Sequence, residues 1–557
     1  MDPYWGARPV PPDAKKYEHL ENVCFLPTRT TGNIKNSVPY VRKPNKHFVE
    51  FQQYEPIAAK YILDRASYAE VKKTKANLWR SVDKCDAPGK HPEDKLQDEV
   101  DKIVKIMLAP ILTQTTVLPG QTMEVVSGSS PGKYWKERGC ATKGEAIQHP
   151  QFMDHVHSID HAVVQDYNTK QEFLDYEDIV TRNKIRGTFN PPADFVIKEK
   201  FLYDNQNKAF IENHDKCWIK YGFVKQFGGF DRLGKEFEEF EVLGESDVTG
   251  YDRLIQLLKT MKIRNGFLIL GSVKLSLVYF VLFNTVYSIF VGPDGVVRIR
   301  KTGNSSGSSN TTTNNSIAHL IIIIRFICNL WLASKYKRLP TPAEILKHHK
   351  YAIYSDDALG GHNISHLGLS IDDFRRIMKE TYLEFGLELK ESQTHITVRV
   401  PGSRIDRNHS FLGSNFHYDE KLNMYVPYPR IGKICTSLAF DLETLSDEVH
   451  LVKICALASL ASVEPELSRH VLSFLRFFLE RNNSLLQQYQ GPELDLLMNN
   501  MYDSRDWLLR SLGKYEGGRT VLKDLGCDAT SENAEKQTSK CSQQYKQQAE
   551  SSCCTWK

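Results

Sequence analysis

Apolar positions at helical spacing predict an amphipathic helix from Glu93 to Leu108, and clear apolar patterns of the same kind recur at Leu451–Leu460 and Leu467–Leu479. Strand signals are shorter. Glu241-Val242-Leu243-Gly244 reads as a strand running into Ser246-Asp247-Val248-Thr249-Gly250-Tyr251-Asp252, with a helix expected to begin at Leu254. Val296-Val297-Arg298-Ile299-Arg300 reads as a strand with alternating basic residues. Tyr351-Ala352-Ile353 and Ala358-Leu359-Gly360-Gly361 flank Tyr354-Ser355-Asp356-Asp357 and predict strand, tight turn, strand. Arg404 to Tyr428 reads as a β-hairpin, and Tyr336–His349, with Pro340 and Pro342, as a loop with a short helix. Phe267 to Val291 is apolar but broken by Lys274 and Asn284, which fits a buried helix pair or helix–strand unit better than a membrane span. The Ile321–Ile324 run, flanked by His319 and Arg325, is too short to span.

The polar positions interrupting this pattern carry the chemistry. Asp356 and Asp357 fall at the tip of the predicted turn. Adjacent carboxylates repel, and sharing a site raises one pKa. A divalent cation that prefers oxygen ligands, Mg²⁺ or Mn²⁺, removes the conflict. Alone, the pair is a weak signal and reads better as a solvated surface hairpin. Asp247, at the end of another strand, adds a second acidic element. Asp252 either faces a nucleotide sugar or is a helix N-terminal acid favoured by the dipole. Between the acidic elements, Thr302–Ser316 is small and polar and reads as a flexible loop. It feeds a buried helix whose first turn carries Thr and Asn, where backbone N–H groups and hydroxyls can hold a base pair and a ribose. Composition alone would make it a linker, but linkers seldom abut so apolar a helix.

Composition changes the picture in two places. The net charge is only +4, so nucleic-acid binding has to come from a local channel rather than a generally basic surface. Arg182 to Lys225 has a basic surplus (Lys198, Lys200, Lys208, Lys216 and Lys220), interleaved with Phe189, Phe195, Phe201, Tyr203 and Trp218, most of which are expected in the core. The eleven cysteines form no Cys-x-x-Cys pair, so no structural zinc site is expected and the pattern fits reduced cytosolic thiols. No signal peptide is read at the start of the sequence.

With these motifs in order, the chain resembles the RNA-dependent RNA polymerases of positive-strand RNA viruses. Asp247 and Asp252 match their first palm motif; Ser306, Gly307, Thr311 and Asn315 the second; Asp356 and Asp357 the third. Phe411-Leu412-Gly413 looks like the primer grip, and Lys390 is a candidate for the lysine that protonates pyrophosphate. Arg182 to Phe189 looks like the basic fingers motif, with Lys184 and Arg186 on the triphosphate. Ser129-Ser130-Pro131-Gly132-Lys133, followed by Lys143-Gly144-Glu145, looks like the template-guiding loop, giving Ser130, Gly132 and Lys133 as RNA contacts. Cys217–Asp231 and the Gly-Asn-x-Ser-Gly opening of the second palm motif are similar to potyvirus and astrovirus polymerases, and the two fingers segments are also similar to partitivirus ones. Ser355 stands where most positive-strand polymerases carry Gly, and Asn314 where an Asp is frequent, which bears on fine sugar contacts.

The resemblance implies an α+β right-hand fold with fingers, a palm of antiparallel sheet plus helices, and a helical thumb. Its boundaries would be an extended arm at 1–50, fingers at 51–240, palm at 241–265, fingers at 266–295, palm at 296–400, a thumb at 401–515 opening with the primer-grip hairpin, and a polar, disordered tail at 516–557. It implies nucleotidyl transfer with two Mg²⁺ or Mn²⁺ ions roughly 3.5–4 Å apart, held by Asp247 and Asp356 with Asp357 as auxiliary. Asp252 and Asn315, with Ser306 or Thr311, would check the ribose 2′-hydroxyl. The implied partners are template and product RNA, ribonucleoside triphosphates and other viral replication proteins, in the host cytoplasm, the virion or a replication complex. Reverse transcriptase is the enzyme alternative, since it shares Tyr-x-Asp-Asp; it usually carries a bulky aromatic where this chain has Asp252. A nonenzymatic viral RNA-binding protein is the other alternative, and it predicts missing carboxylates.

Overall fold

The computed structural model describes residues 8–26, 43–113, 115–117, 125–225, 228–390, 394–442 and 444–482. The expectations for residues 1–7 and 27–42 of the arm, for 483–515 and for the tail from 516 lie outside them. The chain is α+β and divides into two units.

The first unit takes residues 1–40, 69–223 and 239–403. Its centre is an antiparallel four-stranded sheet in the order Ile396–Val398, Val242–Ser246, Asp357–His362, His349–Tyr354. Thr311–Ala333 and Ile371–Glu384 are its core helices; Phe374 meets the rings of Phe326 and His362 at 5.2 and 4.8 Å. The Thr311–Ala333 helix is apolar around its whole circumference from Ile317 to Ile324 and is correspondingly buried on all sides. It is 23 residues long, so by length and composition it passes as a membrane span, contrary to the expectation from the Ile321–Ile324 run alone, but most of it is enclosed by the unit's own core.

A second sheet in this unit has the order Glu21–Phe25, Val296–Arg300, Ser288–Val291, Val164–Thr169, Gly187–Asn190, antiparallel except for the third pair. Two expectations change here. Glu21–Phe25 is an edge strand with Leu20, Cys24 and Leu26 buried, not part of a surface arm. Val296–Arg300 belongs to this sheet and not to the one carrying the carboxylates, and its arginines are buried: Arg298 pairs with Asp294, and Arg300 bonds Ser288.

Other boundaries shift for local reasons. The helix expected from Leu254 begins at Tyr251, stops at Leu254 and resumes at Leu258. The amphipathic helix spans Lys95–Leu112, opened by the Asp94 cap. Phe267–Val291 yields the helix Leu275–Val286 and then a strand, but the helix is only half buried: Leu275, Tyr279 and Phe283 are exposed. The 336–349 insertion holds the helix Pro342–His348, started by a capping box between Thr341 and Glu344. Among the basic residues of 182–225, Lys198 and Lys220 are buried, as are Phe189, Phe195, Phe201, Tyr203 and Trp218.

The second unit takes residues 41–68, 224–238 and 404–557. The expected 51–240 block is therefore not one piece. Phe48 and Phe51, on the helix Lys46–Tyr54, pack against Phe474 and Phe477 of the helix Pro465–Arg481. Phe230 stacks on Phe416 at 4.4 Å, and the buried Asp231 accepts the Tyr425 N–H. The expected hairpin is a three-stranded meander, Ser410–Phe411, Ser414–Asp419 and Met424–Pro429. The helices Ile431–Ala439 and Asp447–Ala461 complete the unit.

Candidate active site

The sheet register brings the acidic motifs together. Ser246 pairs with Ala358 and Asp357 with Tyr354, so the strand ending at Asp247 lies beside the turn Ser355-Asp356. Asp356 is reachable by water at the tip, yet protein surrounds it closely. That desolvation is the first cause holding its carboxyl above the usual range; the Asp252 and Asp247 carboxylates push the same way, and Arg186 opposes them. Three carboxylates thus share one field, with Lys390 on Asp247 and the field of Arg186 as partial counter-charges. This is the condition a divalent cation relieves, and all the donors are hard oxygens. Asp247 accepts the Lys390 ammonium at 2.7 Å, and the Lys390 N–H bonds the Asp247 carbonyl at 2.9 Å. Lys390 therefore neutralises an acid of the site, a contact that the sequence does not foretell.

The turn is clamped by one face of the long helix. Ser355 has φ +60°, a left-handed conformation that costs a non-glycine residue about 1–2 kcal/mol. Its N–H donates to Ser316 Oγ at 2.8 Å, its Oγ accepts from Asn315 Nδ2 at 3.1 Å, and its carbonyl lies 3.1 Å from His319 Nδ1. A serine where glycine is common has a reason here, since its hydroxyl ties the turn to Asn315.

Asn315 also donates to Asp252 Oδ1 at 2.6 Å and receives Asn304 Nδ2 at 2.8 Å, so these two expected sugar contacts already touch each other. The loop before the helix is neither a linker nor freely exposed. Thr302, Asn304, Ser305 and Asn310 are buried, and the helix begins at Thr311, inside the segment read as loop. The Thr311 hydroxyl donates to the Ser305 and Ser308 carbonyls at 2.7 and 2.9 Å. Ser306 Oγ accepts the Phe189 N–H at 3.0 Å, and the Gly307 N–H donates to the Phe189 carbonyl at 2.8 Å. A Cβ on Gly307 would stand 2.8 Å from that carbonyl, so only glycine allows this approach. Asn314 accepts from the buried Arg264 guanidinium at 2.6 Å.

The basic loop is held in reserve. Arg186 makes a forked ion pair with Glu172, and Lys184 pairs with Asp178 at 3.0 Å. The field of Arg186 reaches Asp356 and Asp252, whereas Lys184 is tied to Asp178. Ser130 Oγ accepts the Gly132 N–H; Gly132 has φ +85° and packs on Pro192, where a Cβ would lie 2.7 Å from Cα. Lys133 pairs with Glu137 at 2.7 Å. In the second unit, Phe411 is fully buried and Leu412-Gly413 form the strand connection, with φ +51° and +71°, so these two residues are a turn and not a strand. Lys225 Nζ bonds the Leu412 carbonyl at 3.0 Å.

Sequence reasoning missed the supports behind these residues. Lys84 donates to the carbonyls of Asn183 and Ile185, and burial holds its ammonium down at about 8. Glu199 accepts from Ser308 Oγ at 2.6 Å and the Ser309 N–H, and burial pushes its carboxyl up to about 7. His319 had a readable signal, because it shares a helical face with Asn315 and Ser316. His155, His161 and Asp194 lie within metal-ligand reach of one another, a cluster that cysteine spacing does not reveal. The buried Lys198 ammonium, 3.2 Å from Asp194, already serves as its counter-ion and disfavours a cation there.

The sequence profile of the viral RNA-dependent RNA polymerase family matches residues 140–477, more than half of the 557-residue chain. The chain is similar to the genome polyproteins of Zucchini yellow mosaic virus (strain Singapore; 27% identity over 27% of this chain and 5% of the polyprotein). It is also similar to those of Plum pox potyvirus (isolate NAT; 25%, over 56% and 9%) and Beet mosaic virus (20%, over 65% and 11%). It spans about a tenth or less of the length of these curated relatives.

Proposed function

The chain belongs to the viral RNA-dependent RNA polymerase family, and from that premise we propose that it extends an RNA strand by template-directed nucleotidyl transfer. The observation that carries the reading is the shared field of Asp247, Asp252 and Asp356 at the junction of two strands, with Asn315 bonded to Asp252. On this reading the four-stranded sheet is the palm, the five-stranded sheet with its helices the fingers, and 404 onward the thumb, joined by 43–68 and 229–237.

Asp247 and Asp356, with Asp357 beside them, would hold two Mg²⁺ or Mn²⁺ ions, which when bound supply Lewis-acid stabilisation of the attacking and leaving oxygens. The protein's own part is positioning and charge. Asp252 and Asn315 present a hydrogen-bonding pair to the ribose, and a 2′-hydroxyl can join it where a deoxyribose cannot. Arg186 exchanges Glu172 for triphosphate oxygens, which match its fork. Lys390, released from Asp247, delivers a proton to the leaving pyrophosphate. Ser130, Gly132 and Lys133 meet the template, and Phe411-Leu412-Gly413 the primer end. The partners are template and product RNA, ribonucleoside triphosphates and other viral replication proteins, within a potyvirus-like replication complex in the host cytoplasm or in the virion.

Primer extension in Mg²⁺ on RNA and DNA templates, with ribo- and deoxynucleotides, tests this. Extension on RNA with ribonucleotides is expected. Preferred use of deoxynucleotides would select reverse transcription, and RNA binding without extension a nonenzymatic role.

A further inference from the structure

The two metal-binding strands are tied together by a buried hydrogen-bond chain that the mechanism does not use. His319 and Tyr382 are fully buried, and Ser246 nearly so. His319 Nε2 lies 2.8 Å from the Tyr382 hydroxyl, which lies 3.2 Å from Ser246 Oγ; His319 Nδ1 lies 3.1 Å from the Ser355 carbonyl. Ser246 immediately precedes Asp247, and Ser355 immediately precedes Asp356.

The direction of the chain follows from valence. A carbonyl only accepts, so Nδ1 carries the proton. The neutral ring then offers Nε2 as an acceptor, Tyr382 must donate to it, and the Tyr382 oxygen is left to accept from Ser246. Burial holds His319 down at about 4, so the ring is neutral near pH 7 and this arrangement is the one present.

Resting on the polymerase reading, we propose that Ser246, Tyr382 and His319 form a positioning relay that sets the spacing of the Asp247 and Asp356 carboxylates and hence the affinity of the site for divalent metal. None of the three touches substrate. The strand ends are also linked by the sheet register, with Ser246 opposite Ala358, and by Asn315, which bonds both Ser355 and Asp252; the relay adds a side-chain path between the residues that precede Asp247 and Asp356. The relay runs directly from one acidic strand to the other.

The test compares His319→Phe, which keeps the ring volume without its hydrogen bonds, with His319→Asn, whose amide reproduces the Nδ1 donor, and with Tyr382→Phe. Two readouts are taken: the Mg²⁺ or Mn²⁺ concentration giving half of the metal-induced rise in melting temperature without RNA or nucleotide, and that giving half-maximal extension. Residues acting behind metal ligands typically change affinity by about 10–100-fold. His319→Phe is expected to shift both half-points upward within that range with RNA affinity unchanged, while His319→Asn, which keeps the Ser355 contact but not the one to Tyr382, and Tyr382→Phe are each expected to show part of that shift. Wild-type half-points in His319→Phe, or in both His319→Asn and Tyr382→Phe, overturn the relay. Where His319→Phe shows no cooperative melt, Tyr382→Phe decides: wild-type half-points there also overturn it. A wild-type chain with neither a metal-dependent melt nor extension would instead overturn the polymerase reading.

Discussion

Asp356 shows how a residue can be costly to the fold and necessary to the reaction. Its carboxyl is raised by desolvation and by the charges of Asp252 and Asp247, so in metal-free protein its ionised form opposes folding. Asp356→Asn is therefore expected to raise the melting temperature of the chain in EDTA, measured by calorimetry, and to remove most of the stabilisation that Mg²⁺ gives the wild type. Asn315 acts on selectivity instead. Asn315→Ala removes its bond to Asp252 and is expected to lower ribo- over deoxynucleotide preference by about ten-fold, the worth of one hydrogen bond of ~1.4 kcal/mol, in single-nucleotide kinetics. The order and types of these residues were legible because the chemistry demands carboxylates and amides at strand ends. Lys84, Glu199 and Arg264 were not: each supports the site from a distant segment, and a lone buried lysine, glutamate or arginine has no spacing signature.

At the scale of elements, the long central helix is fastened at its far end as well as at the turn. Arg325 makes a forked pair with Asp94, the cap of the Lys95–Leu112 helix, at 2.6 and 2.7 Å, and bonds Glu384 of the Ile371–Glu384 helix at 2.8 Å. The Arg325 hydrogen bonds hold the Asp94 carboxyl down at about 2, against the unfolded value near 3.8. A depressed acid stabilises the fold above its unfolded pKa and loses that contribution as pH falls through the folded one. Asp94 is half exposed, so solvent screening limits the effect. Acid titration of stability should show a component lost between about pH 4 and 2 that is absent in Asp94→Asn. Asp94→Ala should cost about 1 kcal/mol at neutral pH from the cap alone, read by urea unfolding. Elements such as Lys95–Leu112, Asp447–Ala461 and Pro465–Arg481 followed from periodicity. The early stop at Leu254 and the Leu412-Gly413 turn did not, because each is set by backbone geometry that apolar spacing leaves free.

At the scale of the molecule, chain order and spatial order part company. The 43–68 segment packs with 465–481 through Phe48, Phe51, Phe474 and Phe477, more than four hundred residues away in sequence. A fragment of residues 404–482 is expected to fail to fold alone, by circular dichroism, and to gain structure when 43–68 is supplied. Phe474→Ala should cost about 3–5 kcal/mol through the cavity it leaves in this cluster. Pairings of this length carry no local signal, which is why 51–240 reads as one block in the sequence although 51–68 and 224–238 fall in the second unit. On the proposed reading, carboxylates from two strands hold metal where ribonucleotides are joined. Single-nucleotide incorporation on an RNA primer–template in Mg²⁺, with RNA affinity measured in parallel, tests it most directly: the wild type should incorporate and Asp356→Asn should bind RNA but not incorporate, whereas undiminished incorporation by Asp356→Asn would contradict the account.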